Sequence, residues 1–372
     1  MKTAVVIHPQ FTIYGGGEMV CLHVLKVLLD LNYSVTIVTD HYSPALVERN
    51  FRMGEVMARC NHLSIAPFRP VLGRLLALQR LRYAEQIAAL ISKNLEPKLA
   101  FSTQSSIYYV HNIKTFNIVY DIDDFLEVHA SQYGSGAMSS VLRVAYYRLL
   151  SRRFHSDFRR NRLFIPLSLL LEQQLEKHGY EHTPFLFSPC DMIFRPRPKS
   201  KQVVQVTRVV PGKRLEEFMQ IAARLSEYKF MMVGASSREN PEYARKLLEK
   251  APSNVEYIEA RIRDRPELVE ESKVYLHTSV EPGINISLGQ ALGAGCIPVA
   301  PESGGGAEIV LWSKVGYSYR NIDEAVELIR RAQESEEPRD YPQHLSEVAK
   351  MFSAENFEEK IAKIILSGNM ST

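Results

Sequence analysis

Tyr275-Leu-His-Thr-Ser-Val-Glu281-Pro-Gly-Ile-Asn-Ile-Ser-Leu-Gly-Gln290-Ala-Leu-Gly-Ala-Gly295-Cys-Ile-Pro-Val-Ala-Pro-Glu-Ser-Gly304-Gly-Gly306-Ala-Glu308-Ile-Val310 is the stretch that decides the fold. The apolar run from Val274 to Leu276 predicts a buried strand, with Glu281 just past its C-terminal end. A loop with glycine and proline leads into Ile286–Ala294, which has helical spacing. Cys296–Ala300 predicts a second buried strand, ended by a triple-glycine turn that opens a helix at Ala307. Strand ends and helix N-termini gathered at one edge of a parallel sheet are where α/β proteins bind ligands. The free N–H groups of a helix N-terminus suit phosphate. These residues therefore point to an anionic, nucleotide-like ligand held by a carboxylate and a glycine-lined cradle.

The pattern extends outward on both sides. Val203–Val210, Phe230–Val233, Val255–Ile258 and Val315–Tyr319 supply further strands, with helices such as Leu215–Glu227 between them. Strands alternating with helices of this kind mean parallel βαβ units. Arg208 at a strand's end and Lys213 across a Pro-Gly turn can face one diphosphate, the first as a planar fork and the second as a point charge. Without further support such a pair is solvated surface more often than not. Ahead of them, Pro189 to Lys201 is proline-rich and basic, the best domain boundary in the chain. We read residues 1–190 and 200–352 as two domains and 353–372 as an amphipathic tail helix with Phe357, Ile361, Ile364 and Ile365.

The first half opens with a βαβ unit: strand Ala4–Ile7, a loop through Gly15-Gly16-Gly17-Glu18, helix Cys21–Leu31 and strand Ser34–Thr39. The loop lacks the Gly-Lys-Ser/Thr ending of a P-loop and fails the dinucleotide G-x-G-x-x-G spacing. It reads as a tight turn or as backbone that approaches a ligand. Residues 50–69 carry no assignable pattern. Pro70–Leu95 is helical, with Arg69, Arg74, Arg80 and Arg82 around it, and Leu99–Ser102 and Ile107–Asn112 read as strands. His111, closing the latter, is a satisfied structural histidine or a cleft residue. Helix Ser168–His178 and strand Phe185–Ser188 complete the domain.

Two features invite other readings. Asp121-Ile-Asp123-Asp124 has the form of a metal-binding D-x-D, but an aspartate-capped helix start fits it better. Ser139–Arg162 holds Arg143, Arg148, Arg152, Arg153, Arg159, Arg160 and Arg162 against Asp157 alone, interleaved with aliphatic and aromatic residues. A solvated helix face is one reading. We favour contact with an anionic membrane surface, each near-surface cation contributing about 1 kcal/mol.

A chain of 372 residues fits two domains, and 45% apolar content supports a core in each. A net charge of +3 gives no sign of nucleic-acid binding. Cys21, Cys60, Cys190 and Cys296 lie far apart, which fits a reduced, cytoplasmic protein and excludes a zinc motif of usual form. The start Met1-Lys-Thr-Ala-Val-Val-Ile-His is too short an apolar run for a signal peptide, and Phe164–Leu171 falls far short of a membrane span. The expected location is cytoplasmic, with peripheral membrane contact at most.

The quoted stretch resembles the donor-binding segment of the retaining family 4 glycosyltransferases of the GT-B fold. That family places two glutamates with seven residues between them, then a small-residue helix and a Gly-Gly turn before Ala-Glu-Ile-Val. Glu281-Pro matches the first glutamate, and Ala294-Gly295-Cys-Ile-Pro-Val and Gly304-Gly305-Gly306-Ala-Glu308-Ile-Val match the rest. The second glutamate is missing. Counted forward its place is Gly289; counted back it is Gln290, which we read as standing in after one extra loop residue.

The resemblance implies two Rossmann-like domains facing a cleft, with a C-terminal helix crossing back to the first. It implies transfer of a hexose, of mannose or glucose type, from a nucleoside-diphosphate sugar to an acceptor hydroxyl with retention, the acceptor being lipid-linked or a glycan. Arg208 and Lys213 match the family's Arg-x4-Lys and would hold the diphosphate. Glu281 would orient the donor sugar and His111 would touch it. Gly15, Gly16, Gly17, Asn285, Ile286, Gln290 and Gly305 would line the donor site, with no metal required. An epimerase or phosphorylase of the same fold, or a binding module without activity, remain open alternatives.

Overall fold

In the computed structural model the residues described are 2–12, 15–70, 76–120, 162–190, 197–234, 241–280, 286–335, 347–348 and 350–368. Glu281, Asn285, Asp121, Asp123, Asp124, the basic stretch from Ser139 through Arg160, and the linker 191–196 lie outside them. By its contacts the chain divides into unit 1, Met1–Leu186 with Phe357–Thr372, and unit 2, Phe187–Asn356.

Unit 1 is a parallel six-stranded sheet in the order β3-β2-β1-β4-β5-β6. Its strands are β1 (Lys2–Ile7), β2 (Tyr33–Thr39), β3 (Asn61–Ser64), β4 (Leu99–Ser102), β5 (Thr115–Val119) and β6 (Arg162–Pro166). β4, β5 and β6 are buried on both faces, which is why their sequences are runs and not alternations. Helices Gly16–Asp30 and Leu76–Asn94 follow β1 and β3, and Leu169–Lys177 follows β6, capped by the Ser168 hydroxyl accepting from Leu171 N–H. Residues 50–69 resolve into helix ends and the edge strand β3, three of whose four residues are exposed, so no apolar rhythm marks them.

Three expectations are corrected in this unit. Ile107–Asn112 is not a strand. Ile107, Tyr108 and Val110 are buried in a loop, whose backbone is satisfied by side chains: Asn117 Nδ2 donates to Tyr108 O, and Val110 N–H donates to Thr115 Oγ1. Phe185–Ser188 runs beside β6, joined to it by the bond from Leu186 N–H to Pro166 O at 2.9 Å, and forms no strand. Arg162 is not on a basic helix face: it opens β6, is 5% exposed, donates to Ser106 O at 2.8 Å and covers the Tyr109 ring.

Helix Ala354–Gly368 brings Phe357, Ile361 and Ile365 into burial. Within unit 1 its Glu358 binds His23 and Lys26 of helix Gly16–Asp30.

Unit 2 repeats the plan with β7 (Ser200–Val206), β8 (Lys229–Val233), β9 (Val255–Ile258), β10 (Ser272–Leu276), β11 (Ile297–Pro301) and β12 (Tyr317–Tyr319) in the order β12-β11-β10-β7-β8-β9, all parallel. Val203, Phe218, Phe230, Val274, Leu276, Val299 and Ile329 form its core. β7 stops at Val206, four residues before the predicted end, and helix Leu215–Ala223 stops short of Glu227. Asn254 Nδ2 holds the helix end by donating to the carbonyls of Ala222, Leu225 and Tyr228.

Numbered from its own first strand, each sheet has the order 3-2-1-4-5-6. The reversal falls between β1 and β4 in unit 1 and between β7 and β10 in unit 2, and a crevice at the strands' carboxyl ends belongs there.

Candidate active site

The unit 2 crevice is built by residues that directly follow β7, β10 and β11. Arg208 stands two residues past β7 and is exposed. Its neighbour Thr207 is pressed against Gly234 at the end of β8: a Cβ at Gly234 would lie 1.9 Å from Thr207 O, and the φ of +151° also excludes other residues. Lys213 ends the 3₁₀ turn Pro211–Lys213. Its carbonyl accepts from Thr278 Oγ1 at 2.6 Å, and that hydroxyl accepts from Gln205 Nε2 at 2.9 Å. Two buried side chains thus stitch the end of β7, the lysine turn and the end of β10 together across the reversal.

Helix Gly305–Ser313 starts at the same edge. Gly304 is its N-cap at φ +84°, and no side chain caps it. Beneath its first turn lies His277, 3% exposed. A Cβ on Gly306 would come within 2.6 Å of His277 Cδ2, so the glycine is set by the imidazole. Burial drives the His277 pKa down to about 3, helped by the charge of Lys213 and opposed by the Ser279 backbone. The ring is neutral.

Helix Ile286–Gly293 is anchored by Ser287, whose hydroxyl donates to Val206 O at 2.8 Å and meets the Tyr275 hydroxyl at 2.7 Å. The two counts for the missing glutamate separate here. A Cβ on Gly289 would lie 3.2 Å from Phe352 and 3.4 Å from Cys190 Sγ, so any side chain there presses on Phe352. Gln290, the other position, is a buried polar residue of the same helix.

In unit 1 the glycine loop has an internal partner. Glu18 Oε2 accepts from Gly15 N–H at 2.9 Å, so a carboxylate of the protein already occupies that amide. Gly16 and Gly17 begin the helix, and the Tyr120 hydroxyl lies over Gly17 while donating to Thr103 O. His8, directly after β1, bonds Thr103 Oγ1 at 3.0 Å; burial lowers its pKa to about 4 against the pull of Glu18. His111 is elsewhere: it precedes the N-terminal end of β5, half-exposed, with Nε2 3.6 Å from Glu85. That is the edge of the sheet opposite the crevice.

Thus the fold gathers Arg208, Lys213, Gly305 and the start of helix Ile286–Gly293 at one edge of unit 2. It brings Gly15, Gly16 and Gly17 to the matching edge of unit 1 and leaves His111 away from it. Sequence reasoning passed over Gln205, His277, Thr278, His8, Thr103 and Tyr120. The available signal was a polar residue directly after an apolar strand.

The fold is that of the GT-B glycosyltransferases. Residues 200–334 match the family model described as Glycosyl transferases group 1. Anabaena Alr3699/HepE, solved in complex with UDP and glucose, is similar at 15% identity over 99% of this chain and 100% of that one, TM-score 0.69. Sucrose-phosphate synthase from Thermosynechococcus elongatus is similar at 12% identity over 100% of both chains, TM-score 0.70. WaaG, a glycosyltransferase involved in lipopolysaccharide biosynthesis, is similar at 15% identity over 97% of this chain and 99% of that one, TM-score 0.65. No curated protein matches the sequence.

Proposed function

We propose that the protein is a retaining glycosyltransferase that moves a hexose from a nucleoside-diphosphate sugar to an acceptor hydroxyl. The observation that carries the reading is the unit 2 crevice. Arg208, Lys213 and an uncapped helix N-terminus stand at one reversal point, inside the segment that matches group 1 glycosyltransferases. The leaving group is a diphosphate, so catalysis needs stabilisation of developing negative charge more than a strong base. Two fixed cations and the backbone dipoles of a helix supply it without a metal ion.

In this reading Glu281 orients hydroxyls of the donor sugar and Gln290 bonds the ribose, without the charge of a glutamate. Asn285, Ile286 and Gly305 line the donor site. The position of His111 supports no contact with the donor. UDP and UDP-glucose bound to Anabaena HepE make a uridine-diphosphate hexose the first donor to try. We place the acceptor on unit 1 and favour a lipid-linked or glycan acceptor at the cytosolic membrane face, because the arginines from Arg143 to Arg160 offer an anionic surface a docking strip. No helix among the described residues is long and apolar enough to cross a membrane.

The test is turnover of UDP-, GDP- and ADP-hexoses with extracted lipid-linked and glycan acceptors. Acceptor-dependent release of nucleoside diphosphate, with the donor's anomeric configuration kept in the product by NMR, is the expected result. Donor turnover without acceptor indicates an epimerase, and no binding of any nucleotide sugar sinks the reading.

A further inference from the structure

His277 has no part in the chemistry just described, yet four elements converge on it. Its N–H donates to Val299 O at 2.8 Å, carrying the β10–β11 ladder one residue beyond β10. Its carbonyl accepts from the Tyr319 hydroxyl at 3.2 Å, and that hydroxyl also bonds Glu217 Oε1 of helix Leu215–Ala223. Its ring fills the space under Gly306, with the Ala300 Cβ alongside. The next residue, Thr278, holds the carbonyl of Lys213. Backbone and ring are therefore fixed independently, the first by hydrogen bonds and the second by packing.

From this geometry we propose that His277 is a positioning residue that sets the Gly304–Gly306 helix start and Lys213 in register for a diphosphate. The ring is a spacer of fixed height. Its edge determines how close the first helical turn comes to the sheet, and a side chain on Gly306 would collide with it. The polar ring stays neutral in this role. A third positive charge beside Lys213 would repel that lysine, and the buried site suppresses protonation. A leucine of similar bulk lacks the flat edge that Gly306 packs on, so it alters the spacing without leaving a large void.

The inference rests on the donor-site reading, and one binding series separates the two. Titration calorimetry with UDP, GDP and ADP identifies the diphosphate that the unmodified protein prefers, and the matching nucleoside serves as control. His277→Leu is expected to weaken the diphosphate about tenfold or more while changing the nucleoside less than about twofold. In a Lys213→Ala background the same substitution is expected to add less than about twofold, because residues acting through one cradle are not additive. Gly306→Ala, which presses on the ring from the other side, gives a second variant with the same signature. Equal losses for diphosphate and nucleoside, or full additivity with Lys213→Ala, overturn the inference and leave the donor site standing. An unmodified protein that binds none of the three diphosphates overturns the site reading and the inference together.

Discussion

Glu358 Oε1 lies 2.7 Å from His23 Nδ1, and its other oxygen is held by Lys26, so one carboxylate fastens helix Ala354–Gly368 to helix Gly16–Asp30. His23 is buried and Glu358 is nearly so, which makes the bond costly to leave half made. Glu358→Gln is expected to lower unfolding free energy by about 1–3 kcal/mol at pH 7, read by urea denaturation. Burial opposes the Glu358 charge, but the bonds from His23 and Lys26 outweigh it and its pKa is lowered. A carboxylate with a depressed folded pKa stabilises above its ordinary pKa, and the contribution is lost as pH falls through the lowered value. The two proteins should therefore converge in stability on acidification; a constant gap refutes the assignment.

Arg208→Ala and Lys213→Ala are each expected to cut turnover by about two to three powers of ten, as loss of a preorganised charge partner does. Steady-state release of nucleoside diphosphate measures it. Near-normal rates in both variants remove the pair from the chemistry.

Gly234→Ala pushes a methyl group into Thr207 O and demands an unfavourable φ. A loss of at least about 2 kcal/mol is expected, together with weaker diphosphate binding, since Thr207 leads directly into Arg208. A melting curve like that of the unmodified protein would show that the backbone there can yield.

Chelation is expected to leave activity intact if Arg208, Lys213 and the helix start neutralise the diphosphate as proposed. An enzyme silenced by EDTA and revived by magnesium or manganese would move the chemistry to a metal-assisted mechanism and draw attention back to Asp121 and Asp123.

Replacing Arg152, Arg153, Arg159 and Arg160 with glutamine is expected to reduce co-sedimentation with anionic vesicles and to leave nucleotide affinity unchanged. Binding of the unmodified protein should also weaken with salt, exposed charges being screened over roughly 8 Å at physiological ionic strength. Equal vesicle binding by both proteins reduces the stretch to a solvated surface and favours a soluble acceptor.

Much of the fold was legible because buried parallel strands are written as uninterrupted apolar runs, as in Phe230–Val233 and Val274–Leu276. The same rule misled at Ile107–Val110, an equally apolar run whose backbone bonds go to Asn117 and Thr115. It was silent at Asn61–Ser64, an edge strand without a buried face. The placement of Arg208 and Lys213 was readable because the features that mark it are local: a strand end and a Pro-Gly turn. Thr278 was not, since its partner Lys213 is 65 residues away and the hydrogen bond between them exists only once the sheet order is known. His277 hid for a similar reason. Its neighbour Gly306 is explained by a ring contributed from another strand, and nothing around either residue announces the pairing.

Because Phe357 onward belongs to unit 1 while residues 187–356 form unit 2, unit 1 is closed by a segment made after all of unit 2. Residues 1–186 can assemble their sheet early, but the partner of His23 and Lys26 emerges only after all of unit 2 has been made. A chain halted before Phe357 would present that part of helix Gly16–Asp30 without its cover, a form that quality-control machinery is suited to recognise. Completion of unit 1 therefore waits until translation has run past all of unit 2.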